Sequence, residues 1–246
     1  MNKVRSNNEN IELIWDQEEV KKVMAKHAYL YSGDQRRREL SELWVQEGGH
    51  RRTASLGFNN GFYTGMDQIE EAYVVRIEEL RKQQMMDHGD KEPGVGIMNI
   101  HSANTPVLYI SDDGNYAKYL AYDFGVYSRQ DEQGGCDSYF ISGNIYCELV
   151  KERGAWKIWH LILEHDHSVP VGEDYGKIPV DQDPALDPMA EEFGTPPVIR
   201  QVHEPKLGWE HLYQDMPKAY YTYDPLHSYG PEGDVGMRYY ERERRY

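Results

Sequence analysis

Residues 97–127 read IMNIHSANTPVLYI, SDDGNY, AKYLAYDFGVY. Two apolar, β-prone runs joined by an Asp-Asp-Gly turn predict a hairpin. Each run carries one polar group that an ordinary strand has no use for, His101 in the first and Asp123 in the second. Because side chains alternate with period two, Ile97, Asn99, His101 and Ala103 share a face of the first strand. On the second strand Ala117, Tyr119, Ala121, Asp123 and Gly125 share a face, and its small residues leave room in front of the carboxylate. A His and an Asp facing a space make either an acid–base site or a structural hydrogen bond at a sheet edge.

Upstream of the hairpin, residues 10–33 carry Ile11, Ile14, Trp15, Val20, Val23, Met24, His27, Leu30 and Tyr31 near a 3.6-residue period, which predicts a long helix. Asp16 with Glu18 and Glu19 offers a capped start for its main part, and Gly33 a stop. Residues 35–45 predict a shorter helix. Asn59-Asn60-Gly61 marks a turn between two short strands, and Asp67 opens a third helix over 66–86. Downstream, 138–151 and 155–165 predict two more long strands. The last of these, AWKIWHLILEHDH, reads with Trp156, Ile158, His160 and Ile162 on one face and Trp159, Leu161 and Leu163 on the other. Helices followed by a four-strand antiparallel meander predict an α+β fold, a curved, mostly antiparallel sheet wrapped around the long N-terminal helix as a cone-shaped α+β barrel with an open mouth.

Past Val169 the texture changes. Ten of the twelve prolines and nine of the twenty tyrosines lie in 170–246. We therefore expect an α+β cone domain over 10–172 and an extension over 173–246, with a short helix near 207–213, docked as an arm or lid.

Composition narrows the function. A net charge of −15 leaves no basic stripe for phosphates, so no nucleic-acid partner is expected. Cys136 and Cys147 have no metal-ligand spacing and suggest a reducing compartment. No stretch reads as a signal peptide or membrane span, so a cytoplasmic protein with no membrane partner is expected. In the run Glu164-His165-Asp166-His167, strand alternation lets His165 and His167 face one ion but not Asp166. No closed set of three or four ligands is visible, and no metal is expected.

The order of elements resembles the nuclear transport factor 2-like superfamily, in particular its polyketide-cyclase-like (SnoaL-like) branch, which includes dehydratases. The matching residues are Tyr29 followed five residues later by Asp34 in YLYSGD, His101 ahead of Thr105-Pro106, and Asp123 in YLAYD. The resemblance covers about residues 11–169 and leaves the proline-rich extension aside. It implies a cystatin-like cone and a catalytic set of Tyr29, Asp34, His101 and Asp123. His101 would be the principal base, Asp123 its partner or a second acid–base group, Tyr29 a hydroxyl donor and Asp34 an orienting carboxylate. Tyr31, Arg51, Phe58, Phe62, Tyr119 and His160 are expected to line the substrate pocket. The expected activity is a lyase without cofactor, eliminating water from a hydroxylated hydrophobic polycyclic or aromatic small molecule. A retro-aldol loss of formaldehyde from lignin-type diarylpropanes and a ketosteroid-type isomerisation would use the same base. A ligand-binding or assembly module would use none. Tyr122, Phe124, Tyr139, Ile141, Trp159 and Leu161 read as an apolar outer sheet face, which suggests a homo-oligomer, dimer or trimer, with the extension as clasp or lid.

Overall fold

The structure is a computed structural model that describes residues 5–58, 61–130, 135–173, 216–231 and 233. Helix α1 (Asn7–Ser32) begins at a capping box: the Glu9 N–H donates to the Ser6 hydroxyl, while the Ser6 N–H donates to the Glu9 carboxylate. The helix thus starts ahead of Asp16, and Asp16 instead accepts from Lys151 Nζ at 2.8 Å and Trp156 Nε1 at 2.9 Å. Ile11, Ile14 and Trp15 stand exposed, and deep burial begins at Val20. Two short helices follow, α2 (Arg36–Leu43) and α3 (Gly48–Thr53). Strands β1 (Ser55–Phe58) and β2 (Gly61–Thr64) pair antiparallel. Helices α4 (Met66–Glu70) and α5 (Arg76–His88) are joined by one π-helical turn, Glu71–Val75.

The meander consists of β3 (Met98–Ile110), β4 (Tyr116–Gln130), β5 (Cys136–Glu152) and β6 (Ala155–Pro170). The six-stranded sheet runs β2-β1-β6-β5-β4-β3, antiparallel except where β1 lies parallel to β6. Helix α1 packs along β3 and reaches β6, so the main core lies between the helices and the inner face of the sheet. Val20, Met24 and Leu30 meet Leu56, Ala117, Ala121, Ile145, Leu149 and Leu163 there. This is the α+β cone the sequence predicts, and burial of each such Leu or Ile stabilises it by about 1.5–3 kcal/mol.

Strand β6 departs from simple alternation. Glu148 pairs with His160 but Leu149 with Ile158, so Trp159 is an extra residue in a bulge. Ile158 and Trp156 therefore join the main core, while His160 and Ile162 turn to the outer face. A second slip separates the pairs Ser142–His167 and Gly143–His165.

The outer face is less bare than its sequence suggests. Of the residues expected there, Trp159 and Leu161 belong to the main core and Ile141, opposite Gly125, is buried on the inner side, whereas Tyr122 and Phe124 remain exposed beside Ile100 and Phe140. Residues 216–231 cover its other end. The Asp112 and Asp113 N–H groups donate to the Tyr220 and Tyr221 carbonyls. The Tyr223 ring lies 4.7 Å from Trp159, and Tyr229 closes a cluster with Phe62, Leu120, Tyr146 and Ile162. The Tyr229 N–H and the Ser228 hydroxyl both donate to Glu148, and Lys118 donates to the His227 carbonyl. The helix expected at 207–213 lies outside the described residues. No helix among the described residues is long and apolar enough to cross a membrane.

Candidate functional site

The site grows out of two adjacent rows on the inner face of the sheet. Asp123 on β4 pairs with Ala103 on β3 and with Gly143 on β5, which pairs with His165 on β6; His101 pairs with Gly125, two residues further along β4. Neither glycine has room for a side chain, because a Cβ would fall 1.8 Å from the Ile100 carbonyl oxygen at Gly125 and 1.7 Å from that of Glu164 at Gly143. Strands lie about 4.7–4.9 Å apart, so with Gly143 between them Asp123 and His165 meet across two strand spacings.

His101 Nδ1 donates to Asp123 Oδ2 at 2.6 Å, and His165 Nε2 lies 3.7 Å from the same oxygen. The two imidazoles stack at 5.6 Å, inclined by 14°. His101 Nε2 lies 2.8 Å from the side-chain oxygen of Asn99. An amide carries an acceptor and a donor, so rotation of Asn99 serves Nε2 with or without its proton. The Tyr31 and His101 rings meet T-shaped, their centroids 4.6 Å apart. Burial draws the His101 pKa down, partly offset by Asp123. Burial pushes the Asp123 carboxyl the other way, but hydrogen bonds and charge from His101 and His165 outweigh it and hold it well below the usual carboxylate range. The result is a neutral-leaning imidazole with one nitrogen fixed by a carboxylate and the other turned to Asn99. A carboxylate-oriented imidazole of this kind can act as a general base.

Behind Tyr31 lies a second polar network. Glu39, fully buried, accepts from His27 Nδ1 at 2.9 Å, Trp44 Nε1 at 3.1 Å and the Tyr73 hydroxyl at 2.8 Å. Burial would raise its carboxyl, yet His27 and these donors bring it below its ordinary value. Tyr73 stacks on Tyr31, and the Arg36 guanidinium lies over both rings, at 4.6 and 5.1 Å. A cleft of about 210 Å³ opens beside this network, lined by Asp34, Gln35, Arg36, Arg37, Val74 and Glu78 among others.

The structure regroups the expected site residues. His101 and Asp123 come together with Tyr31, but Tyr29 is 82 % exposed on the outer side of α1, because two residues along a helix turn a side chain by about 200°. Asp34, with φ of 53°, has its carboxylate between Arg36 and Arg81, not on His101 or a tyrosine hydroxyl. Arg51 on α3 pairs with Asp67. Phe58 and Tyr119 lie in the main core, where burial pushes the Tyr119 phenol up to about 12. Phe62 and His160 do not line the inner face: Phe62 packs under Tyr229, and His160 bonds Ser55 Oγ through Nδ1 at 2.8 Å beneath Gly230. There burial holds the His160 imidazole down to about 3.

Sequence reading weighs His165 only as a metal ligand, sets Asn99 on the His101 face without a role, and passes over Glu39. Gly125 and Gly143, each at a row position beside the carboxylate, were the available signal for His165. His101, Asp123 and His165 also form the set of donors, all within 4.8 Å of one another, that could hold a metal ion among the described residues. The side chain of His167, which alternation sets beside His165, lies outside the described residues; the His101–Asp123 hydrogen bond already spans part of the space in the set.

No family model and no curated protein matches the sequence. Among solved structures the chain is similar to the hexachlorocyclohexane dehydrochlorinase LinA-type3 from Novosphingobium barchaimii, at 12 % identity over 68 % of this chain and 97 % of that one, with a TM-score of 0.48. It is similar also to Aln2 from a Streptomyces species, at 16 % identity over 67 % and 95 % with a TM-score of 0.41. A protein of unknown function from Mycobacterium tuberculosis matches at 13 % identity over 74 % and 88 %, with a TM-score of 0.44.

Proposed function

We propose that the protein is a lyase that needs no cofactor and removes water from a hydroxylated hydrophobic polycyclic or aromatic small molecule, by acid–base chemistry at His101. The observation that carries the reading is the 2.6 Å hydrogen bond from His101 Nδ1 to a buried, ionised Asp123, which leaves Nε2 as the nitrogen that takes a proton once Asn99 turns aside. In the elimination, Nε2 takes a proton from carbon, the carbon–oxygen bond breaks and a double bond forms. Asp123 fixes the tautomer and offsets the positive charge that His101 gains. Tyr31, not Tyr29, supplies the aromatic wall beside the base.

The test is a product screen. Purified protein is incubated with hydroxylated steroids, hydroxytetralones and diarylpropane diols, and the products are weighed by mass spectrometry. Loss of eighteen mass units identifies dehydration, loss of thirty the retro-aldol release of formaldehyde, and no change an isomerisation. His101→Gln should lower turnover by about 10²–10⁴-fold, the usual contribution of a positioned base. Turnover by that variant at the wild-type rate would remove His101 from the mechanism.

A further inference from the structure

Elimination of water needs two proton transfers, one from carbon and one to the departing oxygen, and a single base does not account for the second. We propose that His165 is the acid of the site, a second catalytic residue that protonates the leaving oxygen while His101 takes the carbon-bound proton; this rests on the lyase reading above.

Three observations carry it. His165 addresses the same oxygen of Asp123 as His101 does, at 3.7 Å against 2.6 Å, so one carboxylate serves both imidazoles. Their rings stack nearly parallel at 5.6 Å, which places two acid–base groups side by side. And the His165 side chain is 22 % exposed against 5 % for His101, so solvent reaches the His165 ring more readily.

The charges balance. The step requires that the site start with a proton on both nitrogens of His165, Asp123 as carboxylate and His101 as neutral imidazole, with no net charge. The C–H proton passes to His101 Nε2, the C–H electron pair forms the C=C bond, and the C–O pair leaves with oxygen, which takes the His165 proton and departs as water. The site then holds His101 as imidazolium and His165 neutral, again with no net charge. One proton has crossed from one ring to the other, and solvent at His165 together with the shared carboxylate restores the start. A buried site that begins and ends uncharged avoids the large desolvation cost of an unpaired ion.

Two measurements test this on the full-length protein. The first compares a hydroxylated substrate found in the screen with its O-acetyl ester, whose carboxylate departs without protonation. His165→Gln should lose at least about 100-fold on the alcohol but under tenfold on the ester, while His101→Gln loses at least about 100-fold on both. Equal loss on both compounds by His165→Gln overturns the assignment. The second needs no substrate: ¹⁵N spectra of labelled histidines, assigned with the two variants, should find a single imidazolium shared by His101 and His165 at pH 7. Two neutral or two charged rings overturn the proposal. A protein that turns over none of the compounds overturns the lyase reading and with it the acid role of His165, whereas turnover with equal His165→Gln losses on alcohol and ester overturns the acid role alone.

Discussion

Replacing Glu39 by Leu should destabilise the protein more than any single change in the catalytic row. The carboxylate is wholly buried and takes hydrogen bonds from His27, Trp44 and Tyr73. An unmade hydrogen bond to a buried donor costs about 1–3 kcal/mol, so three stranded donors set a range of about 3–9 kcal/mol. Removing the carboxylate also removes the cost of burying it, which brings the net loss to about 3–5 kcal/mol, the usual effect of deleting one partner of a buried ionic group. Against a total stability of about 5–15 kcal/mol, such a variant is close to unfolding. Glu39→Gln keeps an acceptor for some donors and sets its NH₂ against another, so it should lose only about 1–3 kcal/mol.

Urea unfolding followed by tryptophan fluorescence measures both variants. It should be repeated with falling pH, because the Glu39 carboxyl is held below its ordinary value. A depressed carboxylate contributes stability that is full above its unfolded pKa of about 4.3 and lost as pH falls through the folded one. The gap between wild type and Glu39→Gln should therefore narrow in acid. A loss below about 1 kcal/mol in Glu39→Leu, or a gap that widens in acid, refutes the account of this network as an ionised hub.

Activity should fall in acid with a midpoint below about 6.5, the ordinary histidine value, because burial lowers the pKa of the base. Asp123 supports the charged imidazole, so Asp123→Asn should move that midpoint lower still and cut kcat by about 10²–10⁴-fold; a midpoint that rises would contradict the pairing. On the outer face, Tyr229→Ala removes a buried ring from the Phe62, Leu120, Tyr146 and Ile162 cluster. Faster hydrogen exchange is then expected at the Asp112 and Asp113 amides, which donate to Tyr220 and Tyr221, with the amides of β4 and β5 little changed. Unchanged exchange at Asp112 and Asp113 would mean that the two anchors of this segment are independent.

Much of this was legible before any coordinates, and the failures have a common physical origin. The His101–Asp123 pair follows from period-two alternation in β3 and β4, whose register runs unbroken from Met98–Ser128 to Asn104–Tyr122. Alternation fails in β6 because a bulge inserts Trp159 and turns every residue before it to the opposite face. The same counting that finds His101 thus misplaces His160, which it puts with Trp156 and Ile158. Local counting is blind to strand partners as well: His165 becomes a site residue only because Gly143 on β5 brings it over Asp123. In α1 the error is angular, since Tyr29 and Tyr31 are both near the helix end but only Tyr31 points at β3. A motif match assigns a role to a residue type at a spacing, whereas the helix rotation decides which ring touches the imidazole. The two tyrosines therefore give a direct comparison: Tyr31→Leu removes the edge that holds His101 and Tyr29→Leu alters a solvated surface, so only the first should change the ring geometry at the base.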